Sequence, residues 1–216
     1  MSKRVQTSVG ALAALEQDAQ LMLQVKEGDA GSFELLLNKY RRPVVSYLRR
    51  MVQNQAVAEE LAQEAFLRVY RARGSYEPAA KFTTWLFRIA THLALNSLRD
   101  GKHHRREQSV DGDGSERQPL QLADERSNPE EQLVAEARLD AVRRAVAALP
   151  EKQRAAVLLH KYEGMDYAQI ADALGCSISA VKSLLFRAYE SLRVSLGHLA
   201  ANHKKRAAED GNGSLS

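Results

Sequence analysis

The chain has 216 residues, with 31 Lys or Arg against 27 Asp or Glu and a single cysteine. One cysteine excludes a disulfide framework and any zinc site built from several cysteines. Nothing in the sequence approaches about 18 uninterrupted apolar residues, the length that a membrane helix needs. We therefore expect a soluble, cytoplasmic protein with no metal, no other cofactor and no membrane span.

Charge is distributed in blocks along the chain. Residues 39–106 carry 14 basic against 5 acidic side chains, residues 107–131 carry 2 against 8, and residues 137–206 carry 12 against 6. The acidic spacer is rich in Asp, Glu, Gly, Ser and Pro and lacks apolar periodicity, which predicts a flexible linker. Two separate basic blocks predict two contacts with a polyanion.

Apolar residues at helical spacing predict an all-α fold made of two small domains. The domains are expected at 19–106 and 132–196, with the linker at 107–131 and a disordered tail at 197–216. The first two helices are predicted over 19–26 and 33–52, and Pro43 is expected to kink or split the second.

A third helix, predicted over 55–73, has an acidic polar face although it lies within a basic block of the chain. Its inward positions are Leu61, Ala65, Phe66 and Val69, and its polar face carries Glu60, Gln63, Glu64 and Arg68. An acidic patch is unlike a phosphate-binding surface. It could meet a basic protein partner or simply keep the helix soluble, and the pattern alone does not decide between the two.

The next helix follows a loop containing Gly74, Tyr76 and Pro78, with Thr83 or Thr84 as its predicted N-cap. Its inward positions are Phe82, Leu86, Ile89 and Leu93, and Trp85 is also assigned to the core. The other side carries Arg88, Thr91, His92, Leu95, Asn96 and Arg99. Arginine, amide and aromatic groups together suit the binding of phosphates and unpaired bases.

Residues 166–193 predict a helix-turn-helix. Asp166 is a plausible cap of the first helix, Gly175 its stop, and Ser177 the cap of the second. The second helix has an apolar stripe at Ile178, Val181, Leu185, Ala188 and Leu192, and it exposes Ser179, Lys182, Ser183, Phe186 and Arg187. Donors on such a face suit base edges in a DNA groove, although an ordinary helical hairpin with a solvated face has the same pattern.

Cys176 lies in the turn of this predicted motif. We interpret it as a small buried residue, with redox sensing as the less favoured alternative.

Three segments, taken in order, resemble the sigma-70 superfamily of bacterial sigma factors, in the short extracytoplasmic-function group that keeps regions 2 and 4. AEELAQEAFLRVYR resembles the helix that binds core polymerase, and FTTWLFRIATHLALNSLRD resembles the helix that melts and recognises the minus-10 element. LPEKQRAAVLLHKYEGMDYAQIADALGCSISAVKSLLFRAYESLR resembles the whole of region 4. The resemblance covers about residues 21–196.

The resemblance implies a role for each surface. Glu60, Gln63 and Glu64 would contact the clamp helices of core RNA polymerase. The loop 75–81 would capture an extruded minus-10 base, and single-stranded minus-10 DNA would meet Arg88, His92, Asn96 and Arg99. Duplex minus-35 DNA would meet Ser179, Lys182, Ser183, Phe186 and Arg187, while the linker would thread the polymerase channel. The resemblance also implies an anti-sigma factor as a partner.

Departures from the family pattern affect the DNA-contacting positions. The family often has asparagine in place of His92 and arginine in place of Leu184 and Tyr189, and Ser179-Ala180 replaces a common Gly-Thr. These differences concern the particular promoter sequence rather than the fold.

Three other functions are alternatives to that of a sigma factor. An autonomous helix-turn-helix regulator would leave the acidic face and the Trp85 helix without a purpose. A nuclease or ligase would need a carboxylate cluster, a nucleophile with its base, or a glycine-rich phosphate loop, none of which the sequence contains. An inhibitory adaptor that only occupies polymerase would give no promoter-dependent transcripts.

Overall fold

In the computed structural model of the chain, residues 17–107 and 129–210 are described. They form the helices α1 (17–26), α2 (Ala30–Val52), α3 (Gln55–Arg71), α4 (Phe82–Glu107), α5 (Pro129–Ala147), α6 (Glu151–Lys161), α7 (Tyr167–Leu174) and α8 (Ile178–Asp210), with a 3₁₀ turn over Ala72–Ser75. These ranges contain no strand, so the all-α prediction is confirmed. Helices α1–α4 are the N-terminal half and α5–α8 the C-terminal half.

Helix α2 runs through the centre of the N-terminal half. Its N-cap is Asp29, whose carboxylate accepts the Gly31 N–H at 2.9 Å. The helix is continuous through Pro43 and is therefore not split there. Its buried side chains include Tyr47 and Leu48, and burial of this apolar stripe holds the helix in place despite the hydrogen bond that a proline removes.

Helix α3 packs against both α2 and α4. The side chains at its inner positions Ala58, Ala62 and Ala65 are small and buried, which allows the neighbouring helices to approach closely. Phe66 and Val69 are buried as predicted, whereas Leu61 is only partly buried.

Helix α4 differs from the prediction at its start and on its polar face. It begins at Phe82, so Thr83 and Thr84 lie in the first turn and neither is the cap. Thr91, expected on the exposed side, is fully buried and shares a 2.7 Å hydrogen bond with the Tyr47 hydroxyl. Its own hydroxyl donates to the Phe87 carbonyl at 2.6 Å, which satisfies the polar group inside the core.

The C-terminal half contains the predicted helix-turn-helix. Asp166 and Gln169 form a capping box at the start of α7, with side-chain to backbone distances of 2.9 Å and 3.0 Å. Gly175 ends α7 with φ at +60°, a left-handed conformation that glycine adopts without strain. The Ser177 hydroxyl then accepts the Ala180 N–H at 3.1 Å, and α8 leaves the turn at 98° to α7.

The two halves contact each other through four helices. Helix α7 packs against α4, and α6 packs against both α2 and α4. The predicted linker falls almost entirely outside the described residues, so its flexibility stays a prediction.

The C-terminal half begins earlier and ends later in the chain than predicted. Helix α5 starts at Pro129, since proline is well suited to the first turn of a helix. Helix α8 continues to Asp210 through a stretch that we expected to be disordered. That stretch is rich in Ala, Lys and Arg, which are strong helix formers, and no Gly or Pro occurs between His198 and Asp210.

Candidate nucleic-acid interfaces

Helix α8 presents one continuous exposed stripe, made of Ser179, Lys182, Ser183, Phe186 and Arg187 and called here the α8 stripe. The opposite side of the helix is anchored by Val181, Leu185 and Ala188, which are buried. Phe186 is 68% exposed, an unusual state for a large aromatic side chain. Within the described part of the chain, neither Lys182 nor Arg187 forms an ion pair, so both cations remain available to a ligand.

Two positions where the family often has arginine take part in packing instead. The Tyr189 hydroxyl lies 3.0 Å from Nδ1 of His160, and its ring lies 5.9 Å from the Lys161 ammonium. Leu184 packs against the core. This helix is therefore less basic at two positions whose side chains join α8 to the rest of the C-terminal half.

Cys176 sits in the turn between α7 and α8. It is half-buried and packs against the core, as expected for a small residue at this place. Its N–H donates to the Ala171 carbonyl at 3.0 Å, so its backbone helps to close the turn.

Helix α4 carries a second stripe, the α4 stripe, made of Arg88, His92, Asn96 and Arg99. All four side chains are exposed, and their spacing places them on one side of the helix. Arg88 Nη1 lies 3.3 Å from Asp172 Oδ1 on α7, in the other half of the molecule. Partial desolvation of the imidazole ring, together with the positive charge of Arg88, lowers the pKa of His92 from its ordinary value. The shift favours the neutral imidazole, which offers a hydrogen bond rather than a charge.

The predicted base-capturing loop precedes α4 and is built around two aromatic rings. Tyr76 is buried, and its ring lies 5.1 Å from that of Trp85. Lys26 on α1 donates to the Tyr76 carbonyl at 3.1 Å, a contact that no local sequence pattern indicates. Trp85 is partly buried between Tyr76 and Phe82, which supports its assignment to the core.

Helix α3 exposes the acidic face formed by Glu60, Gln63 and Glu64, called here the α3 face. Glu64 accepts a hydrogen bond from Arg68 Nε at 2.7 Å, and this bond holds the pKa of Glu64 below its ordinary value. Leu67 continues the same face and is 48% exposed. Sequence reasoning missed Leu67, although its position three residues after Glu64 was a sufficient signal.

Arg154 on α6 is a buried charge that the sequence did not indicate. It is 9% exposed, and its guanidinium donates to the carbonyls of Met51, Ala147 and Leu149. Met51 belongs to α2, so one side chain joins the end of α5 and the loop between α5 and α6 to the other half of the molecule.

Residues 17–107 and 129–210 contain neither a metal-binding cluster nor a single membrane-spanning helix. No group of three or more His, Cys, Asp or Glu in these ranges could hold a metal ion. No single helix in them is long and apolar enough to cross a membrane, although the bent pair α7 and the first part of α8 satisfies the test by length and composition alone.

Comparison with protein families gives two matches, in the order that the sequence predicted. The family described as sigma-70 region 2 matches residues 36–104, and sigma-70 region 4 matches residues 139–192. The RNA polymerase sigma-H factor of Pseudomonas aeruginosa is 34% identical over 183 residues, which cover 84% of this chain and 94% of that protein. The ECF RNA polymerase sigma-E factor of Escherichia coli K12 is 35% identical over 178 residues, covering 81% and 92%.

Two solved structures share the fold. CnrH, in complex with the cytosolic domain of CnrY, superposes with a TM-score of 0.61 at 20% identity, covering 84% of this chain and 98% of that one. The sigma factor RpoE from Bartonella quintana, in complex with the anti-sigma factor NepR, gives 0.60 at 24% identity, covering 76% and 96%.

Proposed function

We propose that three helical surfaces of this chain have different binding roles. The chain belongs to the sigma-70 family of RNA polymerase sigma factors, in the extracytoplasmic-function group. The chain is a sigma factor that binds core RNA polymerase and directs promoter-specific initiation of transcription. Sigma factors are not a class of enzymes. We further propose that this one catalyses no reaction and works in the cytoplasm.

The observation that carries the assignment of surfaces is the pair of exposed stripes on α4 and α8. Each is backed by a buried apolar side, and the two belong to the two regions that the family models match. Each stripe therefore has a rigid support and its own position in the chain, so the two stripes can bind two separate DNA elements.

The α8 stripe is proposed to recognise duplex minus-35 DNA. Arg187 and Lys182 supply donors for guanine edges or phosphates, and Phe186 supplies an apolar surface for a thymine methyl group. Ser183 donates its hydroxyl to the Ser179 carbonyl at 3.1 Å, which leaves its oxygen able to accept from a base.

The α4 stripe and the loop 75–81 are proposed to bind single-stranded minus-10 DNA. Extruding one base from the duplex costs a few kcal/mol, and phosphate contacts from Arg88 and Arg99 would offset that cost. Asn96 and neutral His92 both supply hydrogen bonds, so histidine is chemically compatible with a position where the family often has asparagine.

The α3 face is proposed to bind core polymerase. Its carboxylates suit a basic partner, and the exposed Leu67 beside them supplies the apolar centre that protein interfaces require. A second protein partner, an anti-sigma factor, is proposed because CnrH and RpoE were each solved with a bound partner and RpoE's is an anti-sigma factor.

Transcription with purified bacterial core polymerase tests the proposed function directly. The full chain is added to core enzyme and fragments of the source genome, and transcript 5′ ends are mapped. Discrete new starts that share two upstream motifs are expected. The absence of both new starts and core binding would instead favour an autonomous regulator, and core binding without starts would indicate an inhibitor.

The Arg187→Ala variant tests the α8 stripe. Loss of one base contact of about 1–3 kcal/mol should reduce promoter use roughly 5- to 150-fold and leave core binding unchanged. Arg193→Ala is the matched control, since Arg193 is 77% exposed on the same helix and is paired with Glu190 at 2.9 Å. Equal loss of core binding and promoter use by Arg187→Ala would contradict the assigned role.

A further inference from the structure

The loop 75–81, proposed above to capture a minus-10 base, has a single buried residue. Tyr76 is 4% exposed, and its ring lies 5.1 Å from that of Trp85 on α4. The five residues that follow it, 77–81, are all exposed. The position of this exposed segment therefore depends on how firmly Tyr76 is held.

The hydroxyl of Tyr76 does not anchor the loop. It is buried and has no hydrogen-bond partner in the part of the chain that the structure describes. Burial raises the pKa of Tyr76, and the negative charge of Asp18 raises it further. Both oxygens of that carboxylate are already engaged, Oδ1 by Lys39 at 2.6 Å and Oδ2 by the Tyr40 hydroxyl. The ring is therefore held by packing, and the backbone of the loop needs another group to fix it.

Lys26 on α1 supplies a polar anchor for that backbone. Its Nζ donates to the Tyr76 carbonyl at 3.1 Å, a bond between residues 50 positions apart in the chain. Hydrogen bonds from charged donors are stronger than those between neutral groups. The carbonyl belongs to the peptide that joins Tyr76 to Glu77, so the bond fixes the direction in which the exposed segment leaves the core.

Helix α1 is a firm support for Lys26. Met22 and Val25 of this helix are 0% and 1% exposed. Near the other end of α1, Asp18 is bonded to two side chains of α2. Lys26 directly follows Val25, so its ammonium extends from a helix that cannot move without disturbing the core.

We propose that Lys26 is a positioning residue for the loop 75–81, whose exposed segment it holds in the arrangement that receives an extruded base. The inference rests on the base-capturing role proposed above for this loop. Capture competes with return of the base to the duplex stack, so a preformed loop binds the base at a lower cost than one that must first be ordered. Loss of the Lys26 bond should slow DNA opening without affecting the α3 face or the α8 stripe.

Hydrogen exchange of the full chain, sampled from milliseconds to seconds, tests the positioning itself. Lys26→Met keeps most of the apolar stem and removes the donor, so amides in 76–81 should exchange roughly 3- to 10-fold faster. Lys26→Arg keeps a charged donor and should exchange more slowly than Lys26→Met. Exchange in Lys26→Met that equals the parent's would overturn the proposal.

Arg42→Met is the matched control for the loss of charge. Arg42 is exposed on α2 and makes no hydrogen bond or ion pair within the described residues. Its replacement removes the same charge from the same half of the molecule. Exchange over 76–81 and promoter opening should both equal those of the parent. An effect as large as that of Lys26→Met would show a general influence of charge and reject positioning.

Promoter opening by the holoenzyme tests the consequence for function. The promoter is one identified by mapping transcript starts, with 2-aminopurine in its minus-10 element to report unstacking. The opening rate constant of Lys26→Met should fall roughly 3- to 10-fold, while core binding and the affinity of the initial, unopened complex stay unchanged. Loss of all three together would indicate general structural damage and contradict the positioning role.

The salt dependence of DNA binding distinguishes positioning from a direct contact between Lys26 and a phosphate. Removing a phosphate contact lowers the slope of log affinity against log salt concentration by about 1. Positioning leaves that slope unchanged in Lys26→Met. A lowered slope would show that Lys26 binds DNA itself, against the proposal.

A loop variant separates the failure of this proposal from failure of the loop's proposed function. Glu77→Gly, Pro78→Gly and Ala79→Gly together should slow opening at least as much as Lys26→Met. Slow opening in this variant, with normal exchange and opening in Lys26→Met, would reject the role of Lys26 alone. Normal opening in both, despite faster exchange in Lys26→Met, would reject base capture by the loop and positioning with it.

Discussion

Replacing Arg154 with methionine is expected to lower the free energy of unfolding by about 2–4 kcal/mol. The guanidinium donates to the carbonyls of Met51 and Ala147 and, at 3.1 Å, to that of Leu149. Methionine keeps much of the apolar stem and removes every donor. Three carbonyls, two of them buried and that of Ala147 partly buried, then lose a charged partner.

The size of the effect follows from two opposing contributions. Hydrogen bonds to a charged group contribute about 1.5–3 kcal/mol each. Burial of the guanidinium opposes this gain, and the same burial lowers the pKa of Arg154 even though Glu151 partly offsets it. Because an apolar side chain of similar volume avoids the cost of burying a charge, the expected net loss is about 2–4 kcal/mol, less than three such hydrogen bonds would give together.

Urea unfolding provides the assay, because the chain has one tryptophan and it lies on α4. Trp85 fluorescence reports on the N-terminal half and far-ultraviolet circular dichroism reports on all helices. For a chain of this size the loss corresponds to a fall in the melting temperature of roughly 4–16 °C.

Two further variants distinguish the effect of the buried, forked guanidinium of Arg154 from the effect of a positive charge alone. Arg154→Lys keeps the charge but not the fork, and it should lose less stability than Arg154→Met. Arg143→Met removes an exposed arginine paired with Asp140 at 2.8 Å, and it should cost less than about 0.5 kcal/mol. An equal loss in Arg154→Met and Arg143→Met would refute the argument that the three carbonyls depend on Arg154.

Three other predictions address the core, the α8 stripe and the dependence on pH. Tyr47→Phe should lower the free energy of unfolding by about 1 kcal/mol in the same urea assay, since it removes the hydrogen bond to Thr91 and little volume; a loss below about 0.3 kcal/mol would contradict this. Phe186→Ala should leave the melting temperature unchanged but reduce promoter-dependent transcription, because the ring is 68% exposed; a drop in both would show a structural role. Burial raises the pKa of Glu163 to about 7, with Arg50 acting in the opposite direction. Because this pKa is raised, the protonated Glu163 carboxyl contributes its full stabilisation of the folded chain at pH values below the ordinary pKa of glutamate. That stabilisation is lost as the pH rises through about 7. Urea midpoints measured between about pH 5 and 8 should therefore fall more steeply than those of Glu163→Gln, and parallel curves would refute the assignment.

The helices were largely predictable because their signals are local. Asp166, Gly175 and Ser177 mark the ends of α7 and α8 by capping chemistry that involves only nearby backbone. The exposed faces that carry the α4 and α8 stripes followed from the same periodicity, read from the side that does not pack. Local patterns were therefore sufficient for the fold class and for the candidate stripes.

Burial by distant partners was not predictable from the same patterns. Thr91 has the polarity of a surface residue, and local sequence does not indicate that Tyr47 on α2 lies opposite it and shares a hydrogen bond with its hydroxyl in the core. Arg154 resembles one more charge in a basic block, because its acceptors are backbone carbonyls that carry no side-chain signal. The sequence also separates the halves by a long acidic spacer, so nothing in it indicates that Asp172 meets Arg88.

The contacts between the two halves have unequal strength, and this difference decides how easily the halves could separate. Arg154 makes two of its three bonds inside its own half, to Ala147 and Leu149, so separation replaces only the bond to Met51 with water. Arg88 and Asp172 are 47% and 46% exposed, and a surface pair of this kind contributes about 0–1 kcal/mol. A partner needs only a modest preference for the separated halves to shift this equilibrium.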